Sequence, residues 1–265
     1  MIIKRFVSLF STTSFKVIAF LVLFITSLMI ALAMLLGKEA GNFVIRVQDG
    51  VSDKSISLSV GDPNDSSSWT SKLEAQGITG MTDYTAEYFV KFGYSDLDVI
   101  TADTGSWTRE GNSLYSYTFY IVNTSPSGNV GVNLTLNYSN VSEGVDKAIR
   151  VLTYARTSSQ AVPEIYMAKD DTTKYDVDEN GVPVYPYSEY IIAPQNFASE
   201  DGKKGVVFRQ NYIIGQTASE ASSSKDAGNY LKYSVFFWLE GKDPDCDEDI
   251  LGGTIKFDLT VAVAA

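Results

Sequence analysis

The chain has 265 residues and a net charge of -11, with 16 Tyr, 14 Phe, one Cys and no His. Without histidine there is no Ser-His-Asp triad, no Cys-His pair and no His-ligated zinc site. The lone Cys246 admits no intramolecular disulfide. All 32 acidic residues lie at or after Glu39, and with the 17 basic residues found there they leave -15 on the body. Such a body repels phosphate backbones, which argues against nucleic acid as a partner.

Residues 1–16 carry Lys4, Arg5 and Lys16 and no acid. From Val17 to Leu36 there is no charge, and only Thr26 and Ser27 are polar. As a helix this run spans roughly 30 Å, about one hydrocarbon core. The basic flank predicts a cytoplasmic amino terminus and an extracellular body from residue 39 to 265. Two readings of 17–36 stand: an uncleaved transmembrane signal anchor, or a signal peptide cut after Ala33 or Ala40, which leaves a secreted body. The length of the apolar run favours the anchor.

The body opens on alternating Phe43, Ile45 and Val47, then Ile56, Leu58 and Val60. A polar loop follows, with a short helical turn expected near Ser71–Ala75. Leu114–Val122 reads as a strand. In Asn129–Ser139, Val130, Val132, Leu134, Leu136 and Tyr138 fall on one face. Further strands are expected at Ala148–Tyr154, Glu164–Met167 and Val206–Ile214. Lys174–Val177 and Val182–Tyr185 flank Asn180-Gly181, which predicts a hairpin with a type I′ turn. In the closing stretch, Tyr233, Val235, Phe237 and Leu239 share a face, as do Ile255, Phe257, Leu259, Val261 and Val263. This period-two alternation marks half-buried strands. Many short strands with scarcely any amphipathic helix predict one all-β domain, a Greek-key or jelly-roll-like β-sandwich.

Four features carry possible chemistry. Asp243, Asp245, Asp247, Glu248 and Asp249 place five carboxylates within seven residues. In an extended segment Asp243, Asp245, Asp247 and Asp249 would share one side, and oxygen-rich clusters of this kind suit calcium. The other reading is a solvated loop between two strands. Asp176-Val177-Asp178-Glu179-Asn180-Gly181 fits the opening of a calcium loop, but Tyr187 stands where the closing Glu belongs, so a hairpin turn explains it better. Asn64, Asn123, Asn133, Asn137 and Asn140 head glycosylation sequons, three of them on or beside one strand, where outward Asn simply alternates with inward apolar residues. Finally, Glu240 with Asp243 or Asp245 could make a glycosidase-like carboxylate pair, with Trp69, Trp107 and Trp238 as a sugar platform. Core positions explain the tryptophans equally well. Cys246, set among acids, is a poor nucleophile.

The segments GNFVIRV (41–47), ISLSV (56–60), YSYTFYIVNTS (115–125), VDKAIRVLTY (145–154) and YSVFFWLEGKDPDCDEDILGGTIKFDLT (233–260) resemble a group of uncharacterised, membrane-anchored surface proteins of low-GC Gram-positive bacteria. The order of export helix and β-rich body is also similar to that of camelysin/TasA-type matrix fibre proteins. The first resemblance implies a location and a fold. The second transfers no site, and protease activity of the camelysin type has no support, since H-E-x-x-H is missing. The expectation is a non-enzymatic surface protein with a structural, adhesive or matrix role. Its partners would be the membrane, through 17–36, and a surface protein, a glycan or a second copy. The alternative is a calcium-dependent binding module built on Asp243, Asp245, Asp247 and Asp249. A third reading is a carboxylate-dependent glycoside hydrolase. Fibre growth through the last strand, Thr254–Val263, requires that strand to lie at a sheet edge.

Overall fold

A computed structural model of the chain describes residues 20–22, 24, 27, 43–48, 55–77, 80–86, 95–126, 128–156, 163–167, 177–181, 191–192, 204–215 and 229–264. The chain divides into two units, Met1–Ala40 and Gly41–Ala265. In the first, Phe20, Leu21, Val22, Phe24 and Ser27 are helical and exposed. Among the described residues no helix is long and apolar enough to cross a membrane. Most of the 17–36 run lies outside them.

Among the described residues the second unit is mostly β, two sheets packed face to face. Among the described residues, sheet A holds five strands in the order β11 (Gly205–Ile214), β7 (Val130–Ser139), β13 (Lys256–Val263), β1 (Phe43–Val47), β3 (Lys72–Ala75). Its neighbours are antiparallel except β1 and β13, which run parallel with Ile45 opposite Leu259. Sheet B runs β10 (Ile191–Ile192), β9 (Glu164–Met167), β8 (Ile149–Arg156), β12 (Tyr230–Glu240), β6 (Tyr115–Asn123), β2 (Ile56–Ser59). Two short strands join it, β4 (Asp83–Tyr84) on β12 and β5 (Gly105–Thr108) on β6. The chain crosses repeatedly from one sheet to the other, so β12 and β13, neighbours in sequence, lie in opposite sheets.

The alternation read from the sequence places the core. β7 buries Val130, Val132, Leu134, Leu136 and Tyr138, while Gly131, Asn133, Thr135 and Asn137 face outward. β13 turns Phe257, Leu259 and Val261 inward against Tyr233, Val235 and Phe237 of β12. Phe237 and Phe257 meet across the sheets with ring centroids 4.6 Å apart. Burying such aromatics supplies about 1.5–3 kcal/mol each.

Three expectations are corrected. Lys72–Ala75, expected as a helical turn, is strand β3, because pairing with β1 overrides a weak local preference. β12 is not half-buried: Phe236 and Trp238 on its outer face are fully covered. They form a second cluster with Ala86, Leu97, Leu114, Leu152 and Ile165, capped by the short helix α1 (Ser95–Ile100). The turn near Asn180-Gly181 is not type I′. The Gly181 N–H donates to the Asp178 carbonyl at 2.9 Å, and Gly181 alone of the two takes positive φ, +78°. Glu179 and Asn180 therefore sit at the centre, with Asp and Gly at the outer positions, a type I preference. The flanking runs lie largely outside the described residues.

Candidate functional site

The β12–β13 connection crosses one end of the sandwich and carries the acidic loop. β12 ends at Glu240, and the Asp243 N–H donates back to the Glu240 carbonyl at 2.9 Å. This turn aims the Asp243 carboxylate inward, where it pairs with the Arg150 guanidinium; neither side chain is exposed. Arg150 stands opposite Trp238 in the β8–β12 register. Its Nη1 donates to the carbonyls of Lys147, in the short helix α2 (Val145–Ala148), and Ile149, at 2.9 and 3.2 Å. Charge-assisted bonds of this kind make burial of both ions tolerable.

The rest of the loop is not extended. The Asp245 N–H donates to Asp243 Oδ1 at 2.7 Å, and the buried Asp245 carboxylate lies 3.9 Å from Lys147 Nζ. Asp247 Oδ1 accepts the Asp249 N–H at 2.9 Å and caps a single 3₁₀ turn, Glu248–Ile250. Asp247 and Asp249 are exposed; Asp243 and Asp245 are buried. The four carboxylates read as calcium ligands therefore do not share one side. Two of them face protein cations. Among the described residues, no group of three or more Cys, Asp or Glu side chains is arranged to hold a metal.

Glu240 is equally committed. Its Oε2 accepts from Trp238 Nε1 at 3.0 Å and from the Ala86 N–H at 2.9 Å, tying the segment after β4 to β12. A shallow, open depression nearby is lined by Asp83, Tyr84, Arg109 and Lys242, without Glu240, Asp243 or Asp245. Arg109 stacks on the Tyr84 ring at 5.1 Å and donates to a tyrosine hydroxyl, that of Tyr84, at 3.0 Å. The tryptophans form no common platform. Trp238 is core, Trp107 packs on the same outer cluster, and Trp69 donates to the Pro63 carbonyl at 3.0 Å. Burial, then Asp83, Asp243 and Glu240, push the Cys246 thiol up to about 11. Of the sequon residues, Asn123 is buried and its Nδ2 donates to the carbonyls of Gly128, Ile214 and Gly215.

A second polar cluster, unmarked in the sequence reading, lies between the sheets. Gln210, on the inner face of β11, reaches across to β8 and β9 of sheet B. Its Nε2 lies 2.9 Å from Thr153 Oγ1, 2.7 Å from Glu164 Oε2 and 3.0 Å from the Tyr166 hydroxyl. Its Oε1 accepts the hydroxyls of Tyr212 at 3.1 Å and Tyr233 at 2.5 Å. The Tyr166 hydroxyl in turn donates to Glu164. Burial raises all three tyrosines well above the ordinary phenol range, so they stay neutral donors. The available signal was parity: Gln210 alternates with Phe208 and Tyr212, and Thr153 with Val151 and Ala155, at positions that otherwise hold core residues.

No protein-family model, curated protein or solved structure matches this chain.

Proposed function

We propose that this chain is a non-enzymatic, membrane-anchored cell-surface protein, whose Val17–Leu36 run tethers an extracellular Greek-key or jelly-roll-like sandwich. The observation that carries the reading is the pairing of two features. An uncharged apolar stretch follows a purely basic amino terminus, and the acidic body beyond it builds two sheets around a packed core. The polar groups most suited to chemistry at the loop end hold the fold instead. Asp243 is bound to Arg150, and Glu240 to Trp238 and Ala86. The same Asp243–Arg150 pair weighs against the calcium-dependent module, since the nearest cation is already the protein's own. A structural, adhesive or matrix role follows from display of the body. Any self-association uses a surface other than the last strand, because β13 lies inside sheet A between β7 and β1.

Protease added to intact cells tests this. The account predicts degradation of the body without lysis. Protection until the membrane is broken would place the body inside and end the proposal.

A further inference from the structure

The Gln210 carboxamide is surrounded by the parts of an acyl-transfer site. Thr153 and Glu164 are direct cross-strand partners on β8 and β9, so a hydroxyl and a carboxylate reach the same nitrogen together. On the opposite side of the amide, two neutral tyrosine hydroxyls converge on the carbonyl oxygen. Three oxygens compete for the two hydrogens of Nε2, more than a carboxamide needs to be satisfied. A hydroxyl, a carboxylate and two tyrosine donors gathered around one carboxamide are the groups that acyl transfer uses.

We propose that Thr153 and Gln210 become joined by an ester that links sheet B to sheet A, formed by the folded chain itself with release of ammonia. Thr153 Oγ1 forms a bond to Gln210 Cδ as Glu164 takes the hydroxyl proton. The charge that develops on Oε1 is held by Tyr212 and Tyr233. The C–N bond then breaks while Glu164 returns the proton to Nε2, and the nitrogen leaves as ammonia. Atoms and charge balance without any oxidant, reductant or co-reactant. Thr153, Tyr166, Gln210 and Tyr233 are buried and Glu164 and Tyr212 half-buried, which limits the water that would otherwise capture the acyl group. The link would close a loop between positions 57 apart in a chain whose single cysteine gives it no disulfide, constraining the unfolded state as a disulfide does.

The test is peptide mapping of the purified full chain by mass spectrometry, with digestion kept acidic to preserve esters. The expected result is one species containing both the Thr153 and the Gln210 peptides, lighter than their sum by one ammonia. Hydroxylamine should split it. Thr153→Val should abolish it, and Glu164→Gln should reduce it at least about tenfold at early times after refolding. The wild-type result decides without either variant. Two separate peptides from folded wild-type protein, with the carboxamide intact or hydrolysed, overturn the ester. Equal linking in Glu164→Gln overturns the role given to Glu164.

Discussion

Arg150 and Asp243, 93 residues apart, form an ion pair with neither side chain open to solvent. The pair fixes the start of the acidic loop to β8, and through Lys147 and Ile149 to the end of α2. Removing one ion leaves the other buried and uncompensated. Arg150→Met or Asp243→Leu should therefore each cost about 3–5 kcal/mol in urea unfolding. The double variant should recover a large part of that loss. Additive losses would show that the two side chains act separately.

Glu240 is the second anchor of this end. Glu240→Ala orphans the Trp238 indole N–H and the Ala86 N–H. The expected loss is about 2–6 kcal/mol, at about 1–3 kcal/mol for each of the two abandoned buried donors. Glu240→Gln keeps an acceptor oxygen and should lose less. A fall in stability equal to that of Ala would argue that the charge, and not the acceptor, matters.

Cys246 gives a pH-dependent reading of the same region. Its folded value of about 11 lies above the ordinary 9.0. Between these values the unfolded chain has already released the proton, so stability falls as pH rises through that window and is fully present below 9. Alkylation by iodoacetamide at pH 8 should be slow in the folded protein and ordinary in urea. Rapid alkylation of the folded form at pH 8 would contradict the packing described around the thiol.

Tyr138 makes opposite predictions for two neighbouring changes. A Cβ at Gly205 would sit 2.6 Å from Tyr138 Cε1, inside a buried ring. Gly205→Ala should destabilise by about 1–3 kcal/mol. The Tyr138 hydroxyl is buried and finds no hydrogen-bond partner among the described residues. Tyr138→Phe should therefore be neutral or stabilising by up to about 1 kcal/mol in thermal or urea melts. A clear loss would mean that the hydroxyl is satisfied.

The strands were legible where one face is apolar and the other polar. β7 is the clearest case, since Asn133 and Asn137 mark the outward side that Leu134 and Leu136 leave. β12 misled because Phe236 and Trp238 occupy what should be a wet face. Their cover, from α1, the segment after β4, Leu114 and Trp107, is set by long-range packing. The acidic loop misled for a related reason. Spacing in sequence predicts a shared side only for an extended chain, and the turn at Glu240–Asp243 directs Asp243 to a cation 93 residues away. For the Thr153–Gln210 contact, strand parity marks each residue as inward-facing but not as the other's partner, because the two meet only when β8 and β11 face each other across the sandwich.

The central claim is display of the body outside the membrane, and amine labelling of intact cells with a membrane-impermeant reagent tests it most directly. Lys72 is a suitable reporter, with 59% of its side chain exposed at the start of edge strand β3. The account predicts label on Lys72 and none on Lys4 or Lys16 until the cells are lysed. Label on Lys4 and Lys16 with Lys72 protected would contradict it.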